Sequence, residues 1–171
     1  MPTSQKLYEV DLSSRIISGP ETLSVQSDHY AETVYFIMDR FYDHMDLAQT
    51  NCVIQYVSNG ESYVYAVPFC DITTQEGKMI IPWTISLSAT KNSGSVKYFI
   101  KFYLIENDFD GEAKIVYSLN TLPATSIILK TIISENFIEE DKELELPERY
   151  FEIINTLTKM IDNSIIYWNE V

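Results

Sequence analysis

The chain has 171 residues, 46% of them hydrophobic, which is enough for one domain with a substantial core, alone or with an appendage. Aromatic residues make up 13%, twelve of them Tyr, and these residue types favour pleated sheets. A formal net charge of −13 excludes ordinary nucleic-acid binding, which needs Lys and Arg to displace counterions from phosphates; it fits a solvated acidic surface, or one that meets a basic partner or divalent cations.

In chain order, the opening MPTSQKLYEV lacks a charged region followed by an apolar run, so no signal peptide is expected. No stretch reaches the roughly 18 apolar residues of a membrane span, so no membrane partner is expected and the cytoplasm is the expected folding environment. Lys6 to Leu12 alternates around Tyr8 and Val10, a strand pattern, and Ser18-Gly19-Pro20 is a turn before a short edge strand in Glu21 to Gln26. The next stretch is ambiguous. Tyr30, Val34, Ile37, Phe41 and Met45 fit a helical stripe, yet Thr33 to Met38 is rich in β-branched and aromatic residues. A strand over 31–41 is the reading adopted, followed by an acidic loop through Asp43, His44 and Asp46.

Thr50 to Phe69 carries the strongest local signal. Two β-rich arms flank Asn59-Gly60, and both central residues of a type I′ turn need φ > 0. Both faces of the arms are largely apolar, which predicts a central pair of strands, with Pro68 ending the second arm or sitting at an edge. Cys52 and Cys70 lie on the two arms out of register and read as two small buried thiols rather than a disulfide framework. Glu76-Gly77 is a turn, and Lys78 to Ile85 is a strand interrupted at Pro82, with Trp83 assigned to the core. Val96 to Ile105 alternates cleanly, Val96, Tyr98, Ile100, Phe102 and Leu104 on one face. A hairpin loop at Asn107 to Gly111 leads into strands Ala113 to Leu119 and Ala124 to Ile133.

Composition changes at Ser134. The predicted organisation is a β-sandwich over 1–133, an acidic linker over 134–146, and a helix with a short β-like tail over 147–171. Pro147 suits a first helical turn, and Tyr150, Ile153, Ile154, Leu157, Met160 and Ile161 follow helical spacing to an end near Asn163.

No catalytic constellation is apparent. The only histidines, His29 and His44, lie in no nucleophile-base motif and read as surface loop residues, so no catalytic residue is assigned. Glu106 to Gly111 resembles the start of a calcium loop, but the twelfth position is Tyr117, which offers no bidentate carboxylate; an Asp-Gly hairpin turn is the simpler reading, and no metal or cofactor site is assigned. Tyr63, Tyr65 and Tyr103 either form a carbohydrate-binding face or pack beneath the C-terminal helix, the latter being favoured.

The run from Asp28 to Pro123 resembles small virion proteins of phages and prophages of Firmicutes. The resemblance rests on ETVYFIMDRFYDHMDLAQTNCVIQYV (Glu32–Val57), YAVPFCDI (Tyr65–Ile72), MIIPWTIS (Met79–Ser86), GSVKYFIKFYL (Gly94–Leu104) and VYSLNTLPAT (Val116–Thr125). Such sequences are similar to the N-terminal β-sandwich of phage upper-baseplate proteins. The resemblance implies an immunoglobulin-like sandwich that docks on the particle, with a C-terminal part that projects or oligomerises, and it transfers no catalytic residues.

The expected fold is therefore an all-β, immunoglobulin-like antiparallel β-sandwich with a C-terminal amphipathic α-helix. The expected function is that of a non-enzymatic structural protein of a tailed bacteriophage, a tail or baseplate component located in the virion. A capsid decoration protein and a carbohydrate-binding module are the alternatives. Expected partners are other virion proteins and copies of the chain, with a host-surface glycan as a further candidate. The interaction residues assigned are Tyr63 and Tyr65 on the sheet, Tyr150, Ile154, Leu157 and Ile161 on the helix, and Tyr167 and Trp168 in the tail, since Tyr and Trp commonly anchor interfaces.

Overall fold

A computed structural model of the chain describes residues 6–132 and 153–160. The chain divides into two compact units, Met1–Thr131 and Ile132–Val171, and each is described by itself. The first unit contains β1 (Lys6–Asp11), β2 (Ile16–Ser18), β3 (Thr22–Val25), β4 (Thr33–Asp39), β5 (Phe41–Tyr42), β6 (Met45–Asp46), β7 (Asn51–Ser58), β8 (Glu61–Ala66), β9 (Thr73–Gln75), β10 (Lys78–Thr84), the one-turn α1 (Leu87–Thr90), β11 (Gly94–Asn107), β12 (Ala113–Asn120) and β13 (Ala124–Leu129). In the second unit residues 153–160 form a helix, α2.

Among the described residues the strands build two large sheets and a separate two-stranded one, β5-β6. One large sheet has the order β2-β1-β4-β10-β9 and the other β3-β13-β11-β7-β8, with β12 also paired to β11. Within them β1-β4-β10-β9 and β13-β11-β7-β8 reproduce the A-B-E-D and G-F-C-C′ orders of an immunoglobulin sandwich, so the expected fold class is the one observed. Two pairings are parallel rather than antiparallel, β1 with β4 and β3 with β13. Parallel neighbours need a connection long enough to carry the chain back, and residues 12–32 supply it between β1 and β4.

Residues 33–39 are a strand, and the helical stripe is not used: Val34, Phe36 and Met38 are buried while Thr33, Tyr35 and Ile37 are only partly so. The Asn59-Gly60 turn joins β7 to β8 with φ of 51° and 79°, as a type I′ hairpin requires. β7 lies inside its sheet, but β8 pairs only with β7, so the second arm is an edge strand and not a member of a central pair. Pro82 does not interrupt β10, where it stands opposite Tyr35 of β4. On the other side β9 reaches only as far as Ile80, and an open edge tolerates a residue without an N–H. Gly19 is dictated by close approach, since a Cβ there would lie 2.3 Å from the buried ring of Tyr8.

The core is an aromatic cluster drawn from both sheets. Trp83, 1% exposed, stands with ring centroids 5.2 Å from Tyr56, 5.4 Å from Tyr98 and 6.4 Å from Phe36. Tyr8 lies 5.4 Å from Phe36. The buried hydroxyls are satisfied: Tyr98 and Ser126 share a hydrogen bond of 2.8 Å, and Tyr8 donates to the Pro20 carbonyl at 2.8 Å. Burial pushes the Tyr98 phenol up, so it stays a neutral partner in this network.

The two cysteines differ. Cys52 is buried, and burial pushes its thiol up to about 12. Cys70 is exposed, contrary to the expectation of two buried thiols, because Pro68 ends the arm and the chain leaves the sheet in a 3-10 turn, Phe69–Asp71. The thiolate is the nucleophile that attacks a thiol reagent, and the reagent must reach it, so the native protein is expected to react rapidly at Cys70 and, after denaturation, at both residues; rapid native labelling of Cys52 in a Cys70→Ser variant contradicts this burial.

The acidic loop of the sequence analysis is a hairpin, β5–β6, with Asp43 and His44 in the turn at φ of 46° and 69°. Arg40 Nε and Nη2 donate to the two Asp46 carboxylate oxygens at 2.9 and 2.8 Å. The guanidinium holds the Asp46 carboxyl below its ordinary value of 3.8, against the opposing effect of desolvation. The folded state thus binds the Asp46 proton less readily than the unfolded chain does. The stabilisation is present above the unfolded value and is lost as pH falls through the lower folded one. The stability difference between wild type and Asp46→Asn in urea titrations is expected to be largest near neutral pH and to shrink in acid; a constant difference would refute the linkage.

Candidate functional site

Two surfaces of the first unit stand out. The first is a groove of about 310 Å³ where the β8 edge meets the loops before β4 and after β10. Tyr63 stacks on Tyr56 at 5.2 Å, which continues the core aromatic series to the surface. Its hydroxyl donates to Glu61 Oε2 at 2.5 Å, and that carboxylate raises the phenol above its ordinary value. Burial and the nearby Asp71 push Tyr65 up as well, with hydrogen bonding from Thr84 opposing them. Both phenols therefore remain neutral hydrogen-bonding groups at neutral pH.

The facing wall carries His29 and Tyr30, whose ring centroids lie 3.8 Å apart. Their loop is tied down at several points. The Leu87 N–H donates to His29 Nδ1 at 2.9 Å, the Tyr30 N–H to the Ile85 carbonyl at 2.9 Å, and the Ser24 hydroxyl to Asp28 Oδ2 at 3.2 Å. The Thr90 hydroxyl donates to the Asp28 carbonyl. With Nδ1 accepting, a neutral His29 carries its proton on Nε2 and is not free at Nδ1 to act as a base. Tyr30 is 63% exposed and sits at φ 58°, so its ring is presented by an uncommon backbone conformation.

The second surface is a two-stranded ribbon. β11 pairs with β7 only as far as Tyr103, whereas β12 accompanies it to Asn107. Beyond Tyr103 the β11–β12 hairpin therefore has no third strand among the described residues. Ile105 stands directly opposite Ile115, with a register shift beside them. Ile105, Ile115 and Val116 are each about half exposed, and Phe109 at the tip is fully exposed. The loop is held by Asp108, whose Oδ1 accepts from the Asp110 and Glu112 N–H groups at 3.0 and 2.9 Å. That carboxylate is thus a turn device. Among the described residues no three His, Cys, Asp or Glu side chains come together as a metal-binding group.

Of the assigned interaction residues, Tyr63 and Tyr65 lie together at the groove. Ile154 and Leu157 lie on α2, where they and Ile153 and Met160 are all exposed. Tyr150, Ile161, Tyr167 and Trp168 lie outside the described residues. The sequence reading missed Tyr30 and the ribbon. The ribbon had a usable signal: the Ile115-Val116 pair breaks the alternation of its strand just where Val96 to Ile105 outruns the partner arm. No protein-family model matches the chain, and comparison with curated proteins finds no match.

Proposed function

We propose that this chain is a non-enzymatic structural protein of a tailed-bacteriophage particle. In this reading it is made in the bacterial cytoplasm and ends in the virion, where its sandwich docks on neighbouring particle proteins and on copies of itself. The observation that carries the reading is the ribbon beyond Tyr103, which offers Ile105, Phe109, Ile115 and Val116 to solvent on a two-stranded projection. Clustered exposed apolar side chains of this kind mark protein–protein contact. The reading also draws on the resemblance of residues 28–123 to phage upper-baseplate sandwiches, and on the exposed apolar stripe of α2, which suits helix–helix association. Copies would follow the symmetry of the particle.

Immuno-gold labelling of intact particles tests the proposal. Label at the tail tip is the expected result. Label on the head would replace the baseplate assignment with capsid decoration, and particles without label would overturn the virion role.

A further inference from the structure

The groove at the β8 edge has a chemistry of its own, independent of particle docking. We infer that it binds a neutral oligosaccharide. No Lys or Arg lines it, and the nearest charges are carboxylates, Glu61 on the Tyr63 hydroxyl and Asp71 near Tyr65, so nothing there neutralises a phosphate or a carboxylate. No Asp or Glu stands in the wall itself to pair with an ammonium group, which favours a neutral ligand. A purely apolar ligand is a poor match, because His29, Thr84, Ser86 and Ser88 also line the groove. A pyranose ring fits both requirements: its C–H face packs on aromatic rings, and its equatorial hydroxyls seek donors and acceptors around the rim.

The walls supply these parts in fixed positions. Tyr63, backed by Tyr56, forms one aromatic surface, and Tyr30, in tilted contact with His29, forms the other. His29 is oriented by the Leu87 N–H, so a neutral ring leaves Nε2–H to donate to a sugar hydroxyl. The four hydrogen bonds that tether the Asp28–Tyr30 loop hold Tyr30 before any ligand arrives, which lowers the ordering cost of binding. The volume of about 310 Å³ is at the lower end of ligand sites, suited to one or two sugar rings of a longer chain.

The test is titration of the purified chain with maltohexaose, cellohexaose and chitohexaose, followed by calorimetry and by NMR. At least one of the three is expected to bind. Tyr30→Asn removes the ring but keeps a residue tolerant of positive φ, and is expected to weaken that binding about tenfold or more. Tyr63→Ala should do the same from the other wall, while Ile115→Thr on the ribbon leaves affinity unchanged. Failure of all three sugars to bind overturns the inference, and so does binding that both tyrosine variants retain. Neither result bears on the particle role, which is read by gold labelling.

Discussion

Replacing Trp83 with Ala is expected to destabilise the first unit by about 3–5 kcal/mol, the largest effect of any single substitution considered for this chain. The indole is 1% exposed and touches rings from both sheets, Phe36 from one and Tyr56 and Tyr98 from the other. Its removal forfeits the transfer free energy of a large aromatic and leaves a cavity where the sheets meet, which rigid neighbouring rings cannot fill. Domains of this size are stable by only about 5–15 kcal/mol, so the variant should unfold at a much lower urea concentration. Trp83→Phe should cost less, because a ring still spans the gap. Phe109→Ala, at the fully exposed tip of the ribbon, should stay within about 0.5 kcal/mol of wild type. Circular dichroism during urea unfolding reads all three. A Trp83→Ala loss below about 1 kcal/mol would show that the cluster is not the centre of the fold.

The second large effect concerns association. The double variant Ile105→Thr, Ile115→Thr keeps β-branched side chains at a directly opposed pair and so preserves the local strand preference. It removes two apolar side chains whose burial in an interface is worth about 1.5–3 kcal/mol each. Since about 1.4 kcal/mol is tenfold in affinity, incorporation into particles is expected to fall about a hundredfold or more, with the urea midpoint of the isolated protein nearly unchanged. If the variant enters particles as efficiently as wild type, the ribbon is not the docking element.

Local signals in the sequence were read correctly where the determinant is local. Asn59-Gly60 specifies its turn because few other residue pairs accept two positive φ values. The alternation from Val96 to Phe102 assigns the buried face of β11, and the β-branched run at residues 33–38 outweighs a helical stripe that merely coincides in spacing. Features set by distant chain segments were not legible. The parallel pairing of β3 with β13 depends on how residues from opposite ends of the domain meet. Cys70 was expected inside as a small apolar residue, yet beyond Pro68 the chain runs over the surface in a 3-10 turn. The groove needs the loops near residues 29 and 87 to converge on β8, and nothing in the spacing of Tyr30 announces that it will line the same groove as Tyr63. The same holds for Pro82, which looks like a strand breaker until the short reach of β9 leaves its edge open.

Sedimentation of gradient-purified particles in about 1 M salt tests the docking account most directly, because surface charge contacts are screened within about 3 Å there while apolar contacts persist. The chain is expected to remain with the particles, and the Ile105→Thr, Ile115→Thr variant is expected to be missing from them at any salt concentration. Release of the wild-type chain by salt alone, or its absence from particles that are otherwise complete, would contradict the account.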